Sequence, residues 1–356
     1  MRKVSFKQRL MAGVVVLIFS MILLPFSIFA ETDKSSEESS SPESKATAKM
    51  TFVLDWVPNT NHTGLYVANK LGYFAEEGIE MDIVQPSEES SATLVAMGRG
   101  DFGISFQPNM VKRIVKDIPV TAVAAICQHN TSGILSLKSS GIDSLKDLEG
   151  KKYSTWEDPI DDAVVRSLVE EKGGDWSKVK LVPGEATDAI AALKLKQFDA
   201  IMVYYGWDGI HAEQEGADVN FTYLKDSNDT FDYYAPVIIA NNVLLSERED
   251  LAIKALRAIS RGYKYAAEHP EEAAKILIEA SPETDPDLVK ASQKYLSEQY
   301  LDENGNFGLI DSARWNKFYS WVNENKDAEG EALASREIKE NEGFSNKYME
   351  LVNSEK

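Results

Sequence analysis

The chain has 356 residues, of which 43% are hydrophobic and 27% charged, and its formal net charge is -19. This length is typical of roughly two domains, and the ordinary composition excludes a wholly disordered chain and a fibrous repeat. An acidic surface repels phosphate backbones, so we expect no nucleic-acid partner. The single cysteine, Cys127, excludes an internal disulfide and a cysteine-based zinc or iron–sulfur site.

The first thirty residues have the pattern of an export signal. Residues 2–9 are basic, residues 10–30 are almost wholly apolar, and the small residue Ala30 ends the run. The pattern predicts a signal peptide over residues 1–30, with an uncleaved membrane anchor as the alternative because such a run can span a bilayer. The basic residues before the apolar run favour an exported, extracytoplasmic protein, at the outer face of the membrane or in the periplasm.

Residues 31–49 are predicted to be a disordered linker. They contain six serines, four glutamates and no large apolar side chain. Such a segment cannot bury enough surface to fold, so we expect a solvated tether that keeps the folded part close to the membrane.

The rest of the chain alternates between predicted strands and helices. Strands are predicted at residues 50–54, 79–84, 102–106, 120–126, 152–155, 179–182, 200–204 and 236–240. Helices are predicted at residues 64–71, 90–97, 161–172, 186–195, 251–268, 271–279, 287–300 and 312–323. Strands that alternate with helices predict an α/β fold with mostly parallel sheets.

The alternation occurs twice, which predicts two lobes of similar build. Residues 95–104 match residues 192–201 as a helix, a turn, an aspartate and a strand. A chain that returns to its first lobe crosses twice, here near residues 129–133 and 234–237, and these crossings would form a hinge. The predicted organisation is residues 50–130 for lobe 1, 131–235 for lobe 2, and the largely helical 236–356 for the second part of lobe 1.

Known enzyme motifs give little support to catalysis. Gly98, Gly100 and Gly103 have the spacing of a dinucleotide-binding loop. Phosphate binding requires a strand, a loop and then a helix, whereas here the predicted helix comes first, so we interpret the motif as a turn. The sequence has no Gly-x-Ser-x-Gly, no His-Glu-x-x-His and no Walker loop.

Aromatic and polar side chains gather where the predicted strands end, which is where open α/β sheets bind ligands. The candidate binding residues are Asp55, Trp56, Asn59, His62, Phe106, Gln107, Trp156, Tyr204, Trp207, Asp208 and Tyr233. A cleft lined by such rings suits a flat heteroaromatic ligand, because each stacked face contributes about 1–3 kcal/mol. A carboxylate such as Asp208 can accept hydrogen bonds from an amino group on that ring.

Residues 54–68, Leu-Asp-Trp-Val-Pro-Asn-Thr-Asn-His-Thr-Gly-Leu-Tyr-Val-Ala, followed by Gly-Tyr-Phe at 72–74, resemble the formylaminopyrimidine-binding proteins of bacterial ABC importers. Residues 102–108 and 205–210 fit the same family, and the resemblance covers about residues 50–320. It implies a periplasmic-binding-protein type II fold, two α/β lobes joined by a two-strand hinge, that closes on a thiamine pyrimidine precursor. It also implies an ABC permease and its ATPase as partners, no cofactor, and a monomer.

The leading hypothesis, a solute-binding protein, gives roles to the candidate residues. Trp56 and a second aromatic residue (Trp207, Tyr204 or Trp156) would sandwich the pyrimidine, and Asp208 would bind its amino group. Asn59, His62 and Gln107 would supply polar contacts. Relatives often have glutamate where Asp208 stands, and this difference leaves the exact pyrimidine open.

Two alternatives remain at this stage. The chain is also similar to thiamine pyrimidine synthases, which consume pyridoxal phosphate and a histidine. Those enzymes need a lysine on the strand at 102–106 and a cysteine-rich motif, and this sequence has neither, so we expect binding without catalysis. The other alternative keeps the fold but binds a sulfonate or another small anion, for which we would expect arginines at the strand ends.

Overall fold

The computed structural model describes residues 47–86, 89–184 and 188–354, all of which belong to one unit, Lys45–Lys356. The predicted signal peptide or anchor, and the predicted linker up to residue 46, lie outside the described residues. The linker prediction extends too far, because the first strand already begins at Ala48 and pairs with a second strand. None of the described helices combines the length and the apolar character needed to cross a membrane.

The strands of the described residues fall in two five-stranded sheets. They are β1 Ala48–Val53, β2 Ile79–Val84, β3 Phe102–Ser105, β4 Val120–Ala125, β5 Ser132–Leu137, β6 Lys152–Thr155, β7 Lys180–Pro183, β8 Ala200–Tyr204, β9 Val219–Tyr223 and β10 Val237–Asn241. The first sheet has the order β2-β1-β3-β10-β4 and the second β7-β6-β8-β5-β9.

Helices cover the faces and ends of these sheets. They are α1 Thr63–Lys70, α2 Tyr73–Glu76, α3 Ser91–Ala96, α4 Gln107–Val115, α5 Pro159–Glu171, α6 Ala189–Lys194, α7 Ile210–Gln214, α8 Leu224–Ser227, α9 Asn242–Glu247, α10 Glu249–Glu268, α11 Pro270–Ala280, α12 Pro286–Leu296, α13 Ser312–Glu324 and α14 Lys347–Ser354. Tyr205–Gly209 form a π-helix directly before α7, and Thr60–His62 form a 3₁₀ helix directly before α1.

Each sheet contains one antiparallel strand. In the first sheet this strand is β10, which runs antiparallel to β3 and β4, and in the second sheet it is β5, which runs antiparallel to β8 and β9. Both are the first strand after the chain has crossed from the other sheet, so each enters its sheet from the opposite end. The mostly parallel character predicted for the sheets is therefore correct, and this one strand per sheet departs from it.

We call the part built on the first sheet lobe 1 and the part built on the second sheet lobe 2. The chain crosses between the sheets at residues 126–131 and again at 224–236. The two crossings are hydrogen-bonded to each other, because Asn130 donates its backbone N–H to Asp232 (2.8 Å) and its side-chain amide to the carbonyl of Phe231 (2.8 Å). The exact residue limits predicted for the lobes stay a prediction.

The same helix–turn–strand joint occurs in both lobes. In lobe 1 the backbone after α3 turns at Gly98 (φ 72°), and Asp101 accepts a hydrogen bond from Thr51 N (2.9 Å). In lobe 2 the backbone after α6 turns at Lys196 (φ 57°), and Asp199 accepts one from Lys152 N (2.8 Å). The predicted repeat is present, and the Gly98 motif lies between a helix and a following strand, as a turn would.

Helices α1 and α10 approach each other very closely on one face of lobe 1. A side chain at Gly262 would place its Cβ 2.0 Å from the carbonyl oxygen of Gly64, and one at Gly64 would place its Cβ 2.3 Å from the ring of Tyr263, so both positions need glycine. The close approach buries α10 residues such as Ile259 and Tyr263 against the first sheet. It also holds the segment that precedes α1, which carries several of the predicted binding residues.

Candidate functional site

A pocket of about 480 Å³ lies where the strands of both lobes end. This volume is typical of a site for a small molecule. The pocket is lined by nine of the predicted binding residues, Asp55, Trp56, Asn59, Phe106, Trp156, Tyr204, Trp207, Asp208 and Tyr233. Eight residues that are not among the candidate binding residues also line it, Asn61, Pro108, Asn109, Glu157, Asp158, Asp161, Met202 and Val203.

The loop after β1 is held in place by a buried histidine. His62 accepts a hydrogen bond from Asn59 N at Nδ1 (3.2 Å), so its proton lies on Nε2, which bonds to Asp55 Oδ1 (2.7 Å). Tyr263 and Tyr300 donate to the carbonyls of Asn61 (2.6 Å) and Thr60 (2.7 Å). The loop that carries Asp55, Trp56 and Asn59 is therefore fixed before any ligand arrives.

Two of the predicted binding residues do not line the pocket. His62 is fully buried behind Asp55, and both of its ring nitrogens are used within the loop. Gln107 is also fully buried, donating to the carbonyl of Trp315 (2.9 Å) and accepting from Tyr234 N (2.9 Å). Their physical role here is to support the pocket wall, because their polar atoms already have protein partners.

The pocket has aromatic side chains from both lobes. Phe106 of lobe 1 stacks on Tyr204 of lobe 2 across the cleft, with ring centroids 5.8 Å apart and an interplanar angle of 25°. Trp156 donates its indole N–H to the carbonyl of Met202 (2.8 Å), which fixes the orientation of that ring. Trp56 remains 50% exposed, so one large ring face is available to a ligand.

Helix α12 connects the binding loops of the two lobes. The buried hydroxyl of Ser292 lies 2.5 Å from the hydroxyl of Thr60 in the 3₁₀ helix of lobe 1. The same hydroxyl donates to the carbonyl of Gly206 in the π-helix of lobe 2, next to Trp207 and Asp208. One serine therefore fixes both loops at once.

The pocket is strongly acidic. Asp55, Glu157, Asp158, Asp161 and Asp208 line it, and no lysine or arginine does so among the described residues. Burial raises the pKa of Asp208 to about 6, an effect that His211 partly opposes. The pKa of Asp161 is higher still, at about 8, because the group is buried and lies beside Asp158 and Asp162. The two carboxyl groups thus differ in their protonation at neutral pH.

One ion pair joins the two lobes beside the pocket. Lys112 on α4 of lobe 1 lies 3.2 Å from Asp158, which caps α5 of lobe 2. Lys112 is half-exposed, so this pair is screened by solvent and contributes little to stability by itself. It does place α4 against the start of α5 across the cleft.

A sequence signal for the omitted acidic residues was present. Asp158 followed by Pro159 is a typical helix start, with an N-cap residue and a proline at the first position. Asp161 in the first turn of that helix therefore shares the strand end with Trp156. Met202 and Val203 gave no such signal, since apolar residues within a strand are expected in the core.

The two sheets, the double crossing and the pocket between the lobes define a two-lobed fold of the periplasmic-binding-protein type II class, as predicted. Among solved structures, the alkanesulfonate-binding protein SsuA from Xanthomonas axonopodis pv. citri has a TM-score of 0.64 to this chain and is 11% identical to it. That match covers 84% of this chain and 98% of SsuA, and at this identity it bears on the fold alone.

The chain belongs to the NMT1/THI5-like family, which it matches over residues 59–273. It is 29% identical over 294 residues to the formylaminopyrimidine-binding protein of Halalkalibacterium halodurans, covering 81% of this chain and 88% of that protein. It is also 28% identical over 241 residues to the 4-amino-5-hydroxymethyl-2-methylpyrimidine phosphate synthase of Legionella pneumophila, covering 66% of this chain and 75% of that protein. The family resemblance predicted from the sequence is confirmed.

Proposed function

We propose that the protein is an extracytoplasmic solute-binding protein that captures an aminopyrimidine precursor of thiamine, similar to formylaminopyrimidine, between its two lobes. It would deliver this ligand unchanged to the permease and ATPase of an ABC importer. The observation that carries the proposal is the pocket at the strand ends of both lobes, which combines aromatic rings from each lobe with an acidic wall.

The aromatic rings supply the affinity in this proposal. Trp56 offers a half-exposed indole on the lobe 1 side, and Trp156, Tyr204 and Trp207 lie on the lobe 2 side. A flat ring between two such faces gains about 1–3 kcal/mol from each of them. Micromolar binding corresponds to about 8 kcal/mol, which two stacked faces and a few buried hydrogen bonds can reach.

The acidic wall favours a ligand that donates hydrogen bonds. Asp208 makes no hydrogen bond to another described residue, so its carboxylate can accept one from an amino group on the pyrimidine. A sulfonate would meet the mainly ionised Asp208 beside other acidic side chains, and no lysine or arginine among the described lining residues. Like charges at close range repel, and this opposes the anion alternative in spite of the shared fold with SsuA.

The histidine near the pocket is poorly placed for acid–base chemistry. A catalytic base must reach the proton that it removes, but His62 is fully buried and both of its nitrogens are engaged within the loop. The strand Phe102–Ser105 has no amine that could form a Schiff base. These features favour binding and release over turnover, although a relative from Legionella pneumophila is named as a synthase.

The proposal is tested by titrating purified protein with formylaminopyrimidine in a calorimeter, with the sulfonate buffer MOPS as the competing ligand class. We expect a 1:1 complex with a dissociation constant in the micromolar range or tighter, and no measurable binding of MOPS. Mass spectrometry of the recovered ligand should find its mass unchanged. An altered mass would favour the enzyme, and preferential binding of the sulfonate would favour the anion-binding alternative.

A further inference from the structure

Three aspartates lie at the start of α5, and the structure gives each a different environment. Asp158 caps the helix by accepting from Ile160 N (2.9 Å) and also pairs with Lys112 across the cleft (3.2 Å). Asp162 accepts a hydrogen bond from the hydroxyl of Thr155 (2.5 Å). Asp161 lines the pocket but makes no hydrogen bond or ion pair with any described residue. It is therefore the carboxyl group of this helix that is available to a ligand.

The surroundings of Asp161 disfavour its ionised form. The titratable groups around it are Asp158 and Asp162 on its own helix, Lys112 on α4, Tyr153 in β6, Tyr204 in β8 and Tyr233 in the second crossing. Burial and, after it, the neighbouring Asp158 and Asp162 raise the pKa of Asp161 to about 8, although Lys112 opposes this shift. The positive end of the α5 dipole also favours ionisation, but this effect is smaller than burial beside two acids.

A carboxylic acid that keeps its proton can donate a hydrogen bond, whereas a carboxylate can only accept. Asp161 is mainly protonated at neutral pH, and Asp208, with a pKa of about 6, is mainly ionised. Two carboxyl groups of one pocket in opposite protonation states provide a donor and an acceptor. This combination complements an aminopyrimidine, which has an amino group that donates and ring nitrogens that accept.

We propose that Asp161 is a second specificity-determining residue of the pocket and donates a hydrogen bond to a ring nitrogen of the pyrimidine, while Asp208 accepts one from the amino group. This inference rests on the proposed function. It assigns a distinct role to a pocket carboxyl group that makes no hydrogen bond or ion pair with any described residue. It also predicts that binding weakens when Asp161 loses its proton.

The experiment measures the dissociation constant of formylaminopyrimidine by calorimetry at pH 6.5, 7.5, 8.5 and 9.5 for three proteins. They are the wild type, Asp161→Asn, whose amide can still donate, and Glu170→Gln as the control, which removes an exposed acid near the other end of α5. Above the pKa of Asp161, the wild-type affinity should fall by up to about tenfold per pH unit. Asp161→Asn should bind the pyrimidine within about threefold of the wild type at pH 6.5. Its affinity should not fall as the pH rises from 6.5 to 9.5. Glu170→Gln should show the same fall in affinity as the wild type.

The outcomes separate this inference from the proposed function. If the wild type binds but Asp161→Asn shows the same pH profile, the donor role is wrong. It is also wrong if Asp161→Asn loses binding at pH 6.5 while its unfolding temperature is unchanged, because an ionised Asp161 would then be the form that contacts the ligand. If the wild type fails to bind the pyrimidine at every pH, the proposed function fails and the inference falls with it.

Discussion

Trp56 is the residue whose exposure most directly indicates a ligand. Its side chain is 50% exposed beside a pocket, although burial of an indole is strongly favourable. The loop around it is fixed by His62 and Tyr263, so the exposure does not come from a loose segment. An aromatic ring held open in this way is pre-organised for stacking, since its binding needs little ordering of the protein.

We expect Trp56→Ala to weaken pyrimidine binding by about 1–3 kcal/mol, which is roughly 5- to 150-fold in the dissociation constant. Trp56→Phe keeps a ring in the same place and should lose clearly less affinity. Calorimetric titration of both variants measures the difference. If Trp56→Ala binds as tightly as the wild type, Trp56 is not part of the sandwich.

Asp161 also lowers the stability of the folded protein as the pH rises, because folding raises the pKa of its carboxyl group. The unfolded chain ionises an aspartate at a pKa of about 3.9, whereas burial raises the pKa of the folded group to about 8. The unfolded state therefore binds fewer protons between these values, and folding becomes less favourable as the pH rises from 4 to 8. Above pH 8 this destabilisation is fully present.

Asp161→Asn removes that destabilisation. We expect the variant to be more stable than the wild type by at least about 1 kcal/mol at pH 8, and by less at pH 5. Urea unfolding at the two pH values gives the comparison. The exposed acid Glu170 lies near the other end of α5, and Glu170→Gln serves as the control that should change little. An equal gain at both pH values would rule out a raised pKa at Asp161.

Among the elements, the π-helix carries two pocket residues of lobe 2, Trp207 and Asp208, and α12 holds this π-helix in place. A π-helix is rare and often occurs at functional sites, and this one carries Trp207 and Asp208 into the pocket. Ser292 on α12 bonds to Gly206 of that π-helix and to Thr60 of lobe 1. The position of α12 thus determines how the two binding loops face each other.

Ser292→Ala should lower both stability and affinity. Loss of the hydroxyl leaves its buried partners without this bond, which costs about 1–3 kcal/mol of unfolding free energy. Ser297→Ala is the matched control, because the hydroxyl of Ser297 is exposed and bonds only to the carbonyl of Lys294 at the end of the same helix. Thermal unfolding and calorimetry measure both effects. Equal behaviour of the two variants would contradict the supporting role of α12.

The sequence predicted elements with strong local signals and missed those without them. The strands Ile79–Val84 and Lys152–Thr155 have the predicted ends, because alternation and flanking turns define them. Helix α4 was missed because Phe106, at its N-cap, offers no side-chain cap. Strands β5 and β9 were missed because β9 is half-buried throughout, so it has no clear alternation, and β5 follows the crossing directly.

At the scale of the whole molecule, the pocket is lined by residues of both lobes, and the two crossings connect these lobes. The crossings are bonded through Asn130 and Asp232, and α13 packs on the second one through contacts of Phe231 with Trp321 (ring centroids 5.1 Å apart). This arrangement suits lobes that open and close around a ligand.

The part of the site that lies at the ends of strands could be predicted from the sequence. Asp55, Trp156 and Trp207 come directly after predicted strands, and all three line the pocket. His62 and Gln107 also follow predicted strands, but their side chains are buried and bond to other parts of the protein. The sequence does not show which polar side chains find such partners. Asp161 was missed because it lies within a helix, and only the fold brings the start of that helix to the cleft.

A crystal structure of the protein with formylaminopyrimidine tests the central claim most directly. The account predicts an intact pyrimidine ring between the indole of Trp56 and an aromatic ring of lobe 2, with its amino group within hydrogen-bond distance of Asp208. A pyrimidine bound outside the cleft, or stacked on residues of one lobe only, would contradict the account. A chemically altered ligand in the cleft would contradict it as well.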